Sequence, residues 1–328
     1  MLAILAAFAF SLALGAIARR SGKRFRLTTT GGIAAMGGVS LLTAWWITAW
    51  LADALGPRAV LGLGLATAVI VVVGLRDLRR PLGPWPQLAG QTLAGVSAVL
   101  AGGVLAEYVT NPLGGLLYLN QWQVAGLPIV AAALTLLWML LLMNAVNFLD
   151  GTDGVAAAVS LVGFLTVGAV SLLPQVREPS TALPAFLAAA ATLGFLFWNI
   201  PPARLTLGTP GSWFLGFLLA VLSVQGSSKI ATLAVVGAIP LLDAISVVIA
   251  RLRHGVSPFR GDRTHLHHRL LARGWSPRAI LALYVGISLL LAAAAVLLPT
   301  PLKILVFVLS ALTVAALAIR PQILKKEG

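Results

Sequence analysis

Long apolar runs, most of them about 17 to 22 residues in length, alternate with short polar connections along the whole chain. A run of this length can cross the hydrocarbon core of a bilayer as one α-helix. The pattern therefore predicts an all-α, polytopic integral membrane protein with about eleven transmembrane helices. The predicted spans lie near 1–18, 31–52, 59–75, 87–105, 127–147, 154–172, 183–198, 213–225 and 229–250, with two more after residue 278.

Composition agrees with this pattern, because 59% of the residues are hydrophobic and only 10% are charged. Such a balance excludes an ordinary soluble globular domain. We interpret residues 1–328 as a single transmembrane domain. The chain has no cysteine, which excludes disulfides, thiolate metal ligands and a cysteine nucleophile. It also has no Walker loop, dinucleotide fingerprint or nucleic-acid-binding module, so no nucleic-acid partner is predicted.

The distribution of basic residues predicts the orientation of the spans. The net charge is +14, and the Lys and Arg residues concentrate in alternate connections, which the positive-inside rule assigns to the cytoplasm. With the amino terminus outside and the carboxyl terminus inside, only four basic residues fall on the outer side. They are Arg58, Arg177, Lys229 and Lys303. The charge is thus largely a topological signal of a multi-pass protein of the inner (plasma) membrane.

One polar stretch, residues 144–154, interrupts the apolar pattern between the fifth and sixth predicted spans, at the cytoplasmic face. Ionisable groups at membrane depth are costly and usually mark a working site. Two glycines, Gly151 and Gly154, allow the chain to turn there. For the two amides, hydrogen bonding between helices is the alternative interpretation. Amides and carboxylates recur at every third position: Asn144, Asn147, Asp150 and Asp153.

A second polar segment, residues 251–278, is the longest predicted cytoplasmic loop and is rich in histidine and arginine. Three of the four histidines of the chain lie within four positions. Imidazole and guanidinium groups at a membrane surface suit a phosphate or diphosphate, since both donate charge-assisted hydrogen bonds. A zinc-like site and an ordinary solvated loop remain as alternatives, although no carboxylate or cysteine has the usual zinc spacing. The residues concerned are Arg263, His265, His267, His268 and Arg269.

These separated segments together resemble the polyprenyl-phosphate N-acetylhexosamine-1-phosphate transferases, glycosyl transferase family 4. This family includes undecaprenyl-phosphate GlcNAc-1-phosphate transferases and phospho-N-acetylmuramoyl-pentapeptide transferases. The most specific match is residues 144–154, which resemble an Asn-rich family motif that ends in Asp-Gly-x-Asp-Gly. Pro240-Leu-Leu-Asp243, Ser257-Pro-Phe and residues 262–269 resemble the family's histidine loop, and Gly31-Gly32 matches a weaker signature.

Two acidic positions depart from the family pattern. Where the family has adjacent aspartates after the third span, this chain has Asp77 followed by Leu78. Where the family has an aspartate that is expected to hold magnesium, this chain has Thr209. A neutral hydroxyl is a poorer ligand than a carboxylate for a hard cation.

The resemblance implies a transferase-like domain that moves an N-acetylhexosamine-1-phosphate from a UDP-sugar to a polyprenyl phosphate and releases UMP. The reaction would occur at the cytoplasmic face, in cell-envelope glycan synthesis, with Mg²⁺ or Mn²⁺. By resemblance, Asp77 is the catalytic base, and Asp150 and Asp153 position substrate or hold the metal. The substrate-binding residues implied are Asn144, Asn147, Arg263, His265, His267, His268 and Arg269.

Two other functional classes remain open at this point. A catalytically impaired relative would still bind lipid phosphate or nucleotide sugar and act as a regulator. A lipid carrier or transporter is disfavoured, because the polar groups cluster at one membrane face and do not continue through the spans. The sequence leaves the sugar, the glycan pathway and a homodimeric assembly undetermined.

Overall fold

A computed structural model describes residues 1–29, 31–111, 115–174, 176–225, 230–253 and 265–319. The described chain is predominantly helical, as predicted. The helices are α1 (Leu2–Arg24), α2 (Gly37–Leu51), α3 (Pro57–Arg79), α4 (Pro84–Leu100), α5 (Ile129–Leu149), α6 (Val155–Ser171), α7 (Pro179–Asn199), α8 (Gly208–Val224), α9 (Ile230–Val236), α10 (Ala238–Arg253), α11 (Leu266–Ala272), α12 (Pro277–Leu297) and α13 (Thr300–Ile319).

The segment between α4 and α5 forms two short hairpins, which the hydrophobic pattern did not predict. Strands β1 (Tyr108–Thr110) and β2 (Leu116–Tyr118) pair antiparallel, with Val109 opposite Leu117. Strands β3 (Gln123–Val124) and β4 (Leu127–Pro128) form the second antiparallel pair. Strands of two or three residues are too short to show an alternating pattern.

The chain is a multi-pass membrane protein. Among the described residues, five helices (α1, α3, α5, α7 and α12) are long and apolar enough to cross a bilayer. A sixth span results if α9 and α10, which meet at a bend of 78°, count as one. Several other helices are apolar but shorter. A total of eleven spans and the orientation of the termini remain predictions.

Local sequence explains where the helices begin and end. Proline occupies the first turn of α3, α4, α7 and α12, where its missing amide hydrogen has no helical partner in any case. Ser276 precedes α12, and its hydroxyl accepts a hydrogen bond from the Ala279 amide at 3.2 Å. α7 ends at Asn199, just before the Pro201-Pro202 pair.

Helix α8 lies at the centre of the protein, since every residue from Pro210 to Val224 is buried. A helix that is apolar on all sides needs neighbours on all sides, and α2, α3, α5 and α6 pack around it. Trp213, Phe214 and Phe217 are among its fully buried side chains.

The first eight helices alternate in direction, and contacts at one face show this. The Gly37 amide at the start of α2 donates to the Thr206 carbonyl just before α8 at 3.0 Å. The Gly154 amide just before α6 donates to Asn199 at the end of α7 at 3.1 Å. Trp198, beside Asn199, lies under the guanidinium of Arg19 near the end of α1, with the guanidinium carbon 6.0 Å from the ring centre. One face therefore gathers the ends of odd-numbered helices and the starts of even-numbered ones.

Candidate active site

The polar stretch 144–154 lies at this face, where α5 ends and α6 begins. Asn144 and Asn147 are in the last turns of α5, and Asp150 follows as its C-cap. Gly154 precedes α6 with a φ of +79°, a left-handed conformation that glycine adopts without strain. The predicted turn between the two spans is thus confirmed.

Both asparagines bond to neighbouring helices. The Asn144 side-chain amide donates to the Gln91 side-chain oxygen on α4 at 2.8 Å and to the Leu140 carbonyl at 2.8 Å. Gln91 is buried, with 1% of its surface exposed. The Asn147 side-chain oxygen accepts a hydrogen bond from the Ser212 hydroxyl on α8 at 2.8 Å. These contacts match the interhelical interpretation of the two amides.

The connection between α7 and α8 meets both carboxylates of the stretch. Asp153 Oδ2 accepts a hydrogen bond from the Ala203 amide at 2.9 Å. The half-buried Asp150 carboxylate accepts one from the Gly208 amide. Burial first, and then the charge of Asp153, raises the pKa of Asp150 well above the usual aspartate range, and the Gly208 hydrogen bond partly opposes this rise.

Asn199 is a positioning residue that the sequence analysis did not identify. Its side chain is 2% exposed. Its oxygen accepts from the Gly154 amide at 3.1 Å, and its nitrogen donates to the Leu205 carbonyl at 3.0 Å. Asn199 thereby ties the turn of the polar stretch to the α7–α8 connection. The only sequence signal was an amide directly after the predicted span 183–198, two positions before Pro201.

The Asp77 carboxylate accepts three hydrogen bonds. Its Oδ1 accepts from the Leu82 amide at 2.8 Å and from the Gln87 side chain at 3.1 Å. Its Oδ2 accepts from the Thr209 hydroxyl at 2.6 Å. Thr209 stands where the family has a metal-binding aspartate, and Asp77 is the remaining member of the family's aspartate pair. In this protein Thr209 therefore donates a hydrogen bond to Asp77.

Leu78, the second departure from the family pattern, lies against the backbone of α8. A Cβ added to Gly208 would lie 3.2 Å from both Leu78 methyl carbons. The position where the family has a carboxylate is thus an apolar packing contact in this protein.

Asp243 holds the histidine segment. Its Oδ2 lies 2.9 Å from His265 Nδ1, and its Oδ1 accepts from the Leu266 amide at 3.0 Å, which fixes the start of α11. The His265 ring also stacks on Phe148 of α5, with the ring centroids 4.8 Å apart. Both contacts attach α11 to the rest of the site.

His267 is fully buried, and neither ring nitrogen has a hydrogen-bond partner among the described residues. Its ring centroid lies 4.2 Å from that of His268. Burial first, and then the neighbouring His268 and His265, lowers the pKa of His267 to about 4, while Asp243 opposes this shift. His267 is therefore neutral near pH 7, and it differs from the charged donor that the sequence indicated.

The histidine segment and the polar stretch are in direct contact. A Cβ added to Gly151 would lie 2.7 Å from His267 Nε2 and 3.3 Å from His268 Nε2. Only a glycine allows the backbone to approach the imidazoles this closely. Arg269 lies one turn further along α11, where its amide donates to the His265 carbonyl. Arg263 lies outside the described residues.

The predicted site residues converge, although they are far apart in the sequence. Gly208 contacts Asp150 and Leu78, the adjacent Thr209 bonds to Asp77, and Gly151 touches His267. Asn144 differs, because its described side-chain contacts are with Gln91 and its own helix.

The described residues contain no group of three His, Asp or Glu side chains that would hold a metal ion by themselves. They do supply the neighbouring carboxylates of Asp150 and Asp153. Magnesium is commonly bound by one or two carboxylates, substrate phosphates and water. The residues therefore fit a magnesium site that a substrate completes.

Comparisons with known proteins identify the family of the chain. A model of "Glycosyl transferase family 4" matches residues 60–227. The probable undecaprenyl-phosphate N-acetylglucosaminyl 1-phosphate transferase of Bacillus subtilis is 36% identical over 164 residues, which are 48% of this chain and 45% of that protein. The decaprenyl-phosphate N-acetylglucosaminephosphotransferase of Mycolicibacterium smegmatis is 32% identical over 250 residues, 69% of this chain and 60% of that protein.

A third relative matches more of the chain. The phospho-N-acetylmuramoyl-pentapeptide-transferase of a Mycobacterium species is 32% identical over 285 residues, which are 76% of this chain and 79% of that protein. By contrast, the chain spans less than two thirds of the length of the Bacillus and Mycolicibacterium relatives.

Proposed function

The chain belongs to glycosyl transferase family 4, and from this premise we propose that it transfers an N-acetylhexosamine-1-phosphate from a UDP-sugar to a polyprenyl phosphate. The acceptor lipid and the UDP-sugar would meet at the cytoplasmic face of the inner membrane, in cell-envelope glycan synthesis. The observation that carries the proposal is the contact of Gly151 with His267, beside Asp150 and its bond to Gly208. The contact of Gly151 with His267 joins the polar stretch 144–154 to the histidine segment.

In the proposed reaction, an oxygen of the lipid phosphate attacks the β-phosphorus of the UDP-sugar. A new phosphorus–oxygen bond forms, the bond from the β-phosphorus to the bridging oxygen breaks, and UMP leaves with the electron pair. Phosphoryl transfer depends mainly on positioning and on neutralising negative charge. Arg269 and His268 would supply donors, and neutral His267 would offer one donor and one acceptor nitrogen.

We assign the proton-accepting role to Asp150 and a positioning role to Asp77. Asp77 accepts hydrogen bonds from Leu82, Gln87 and Thr209, and these hold its carboxylate in one orientation. Asp150 accepts a hydrogen bond from the Gly208 amide, and burial raises its pKa above the usual aspartate range, which makes it a stronger base than an exposed aspartate. Asn147 and Asp153 would then hold the surrounding chain through Ser212 and Ala203.

Magnesium would be held by Asp153 together with phosphate oxygens of the substrates, and Asp150 beside it would accept the proton. The ion would supply positive charge against the two polyanions. Thr209 would contribute by orienting Asp77, and its hydroxyl replaces the carboxylate that the family uses.

A catalytically impaired relative that binds lipid phosphate or nucleotide sugar is the second candidate function. The observation that favours it is the apolar contact of Leu78 with Gly208, where the family has a carboxylate. A homodimeric assembly is compatible with both functions.

Release of UMP tests the proposed function. The purified chain would be incubated with undecaprenyl phosphate, Mg²⁺ and a series of UDP-N-acetylhexosamines. We expect release that requires both lipid and metal and that Asp150→Asn abolishes. Binding of UDP-sugar or lipid phosphate without UMP release from any of the donors would favour the impaired relative.

A further inference from the structure

A cationic cavity of about 270 Å³ opens at the carboxyl end of α1, against the end of α7. Three of its lining residues are basic, and none is acidic. None of them takes part in the hydrogen bonds of the candidate active site described above. The cavity is lined by Ala16, Arg19, Arg20, Lys23 and Trp198.

The floor of the cavity is rigid. Trp198 Nε1 donates to the Leu12 carbonyl of α1 at 3.0 Å. The Nε1 edge of the indole lies against α1 where a side chain is absent, because a Cβ added to Gly15 would lie 2.5 Å from Trp198 Nε1. The Arg19 guanidinium carbon lies 6.0 Å from the centre of the indole ring. A cation over an aromatic face is partly oriented before any ligand binds.

The surroundings of the cavity place it at the boundary between acyl chains and headgroups. Ile17 of α1 and Phe197 of α7, which are sequence neighbours of the lining residues, are 58% and 55% exposed. Exposed apolar side chains on membrane-spanning helices face lipid. The Arg204 guanidinium lies 6.0 Å from the Phe197 ring centre. Apolar and cationic side chains thus lie next to each other at one depth in the membrane. This arrangement suits a phospholipid, which has acyl chains and a charged phosphate.

We propose that this cavity binds the phosphate of an anionic membrane phospholipid, whose acyl chains lie along Ile17 and Phe197. Arginine donates paired hydrogen bonds to phosphate oxygens, and Lys23 adds a third positive charge. The positive-inside rule accounts for basic residues at this face but not for a cavity with an indole floor. The proposal does not rest on the proposed function, since it concerns a lipid that is not consumed.

A bound lipid here would support the active site mechanically. Trp198 directly precedes Asn199, which holds Gly154 at the turn of the polar stretch. A phospholipid that bridges α1 and the end of α7 would therefore limit the motion of the connection that carries Asn199. The lipid is a structural partner of the site and takes no part in the reaction.

Native mass spectrometry of the full chain in detergent tests this site. The protein would be mixed with dioleoyl phosphatidylglycerol, with dioleoyl phosphatidylcholine and with inorganic phosphate in separate arms. The variant Arg19→Gln with Arg20→Gln removes two cavity charges. The matched control, Arg24→Gln with Arg26→Gln, removes two exposed charges at and just after the end of α1, outside the cavity.

We expect the wild type and the control pair to retain phosphatidylglycerol in preference to phosphatidylcholine, and the cavity pair to bind it about tenfold more weakly or worse. Equal loss in both pairs, or equal retention of the two lipids, would overturn the proposal. Displacement of phosphatidylglycerol by inorganic phosphate would assign the cavity to a soluble anion and overturn the lipid assignment. If the cavity pair does not fold, Arg20→Gln with Lys23→Gln replaces it.

Discussion

At the scale of single residues, Asp150 has a protonation state that depends on the fold. Because burial and Asp153 raise its pKa, the folded protein holds this proton to higher pH than the unfolded chain does. The contribution of the carboxyl to stability is therefore fully present below the ordinary aspartate pKa, and it is lost as the pH rises through the folded-state value. The ionised form that the proposed reaction needs thus lowers the stability of the protein.

Replacing Asp150 by asparagine should separate activity from stability. We expect Asp150→Asn to lower the UMP release rate by about 100-fold or more, because the proton acceptor is lost. The melting temperature of the variant should rise relative to that of the wild type between about pH 5 and about pH 8, because the penalty for ionisation is removed. Activity assays and thermal unfolding across this range measure both effects. Wild-type turnover in the variant would contradict the assignment.

Thr209 shows how a substituted residue can take over a different task. Its hydroxyl donates to Asp77 at 2.6 Å, so we expect Thr209→Val to leave one carboxylate oxygen without this donor. The loss should cost about 1 to 3 kcal/mol of unfolding free energy, whereas Thr209→Ser should keep the bond and stay near the wild type. Thermal or denaturant unfolding of the two variants in detergent gives the comparison. Equal stability of the two variants would show that the bond contributes nothing.

At the scale of elements, the connection between α7 and α8, together with the two helix ends that flank it, organises the site. It carries no acidic residue, yet its backbone and side chains contact most of the polar stretch and Asp77. The apolar pattern of the sequence predicts only a break between two spans here, after residue 198 and before residue 213. The hydrogen-bonded pairs are Asn199 with Gly154, Ala203 with Asp153, Gly208 with Asp150, Thr209 with Asp77, and Ser212 with Asn147.

The second element-scale contact, between the α5–α6 turn and α11, leaves no room for a side chain at position 151. In Gly151→Ala the new methyl group would press on His267, which is fully buried. We expect a loss of about 1 to 3 kcal/mol in stability and a clear fall in UMP release. Gly286→Ala, on α12 with no atom within 4 Å of the added carbon, is the matched control and should match the wild type. Equal stability and equal UMP release in the two variants would mean that α11 moves away from the added methyl group without cost.

At the scale of the whole molecule, one face collects the candidate site, the cationic cavity and the carboxyl end of α1. This arrangement follows from the alternation of α1 to α8 and from the parallel packing of α1 with α7, in which Gly194 lies against Phe8 and Trp198 lies against Gly15. The hairpins between α4 and α5 lie at the other ends of these helices. The basic bias of the sequence predicts that the site face is cytoplasmic.

The absence of cysteine makes the orientation directly testable. Single variants Arg24→Cys, Trp275→Cys and Glu107→Cys each place one thiol at an exposed position. A membrane-impermeant maleimide should label Glu107→Cys in spheroplasts, and it should label the other two only after permeabilisation. The reverse pattern would place the site face outside and contradict the cytoplasmic assignment.

The sequence by itself determined the features that depend on local order. Apolar runs predicted a helical membrane protein, because a span is a continuous segment whose length must match the bilayer. The motif at 144–154 predicted a turn with carboxylates, because its glycines and spacing are local. The same holds for the resemblance to glycosyl transferase family 4, which short motifs carry and the comparisons confirmed.

Only the tertiary structure decided how these parts meet. Thr209 reads as a lost ligand in the sequence, and it proves to be a donor to Asp77, 132 positions away. His267 reads as a cation, but burial among other imidazoles makes it neutral. Asn199 carried almost no signal, although it anchors Gly154. Such partners come from distant segments, and burial depends on every helix that packs around a residue, so neither can be derived from local sequence.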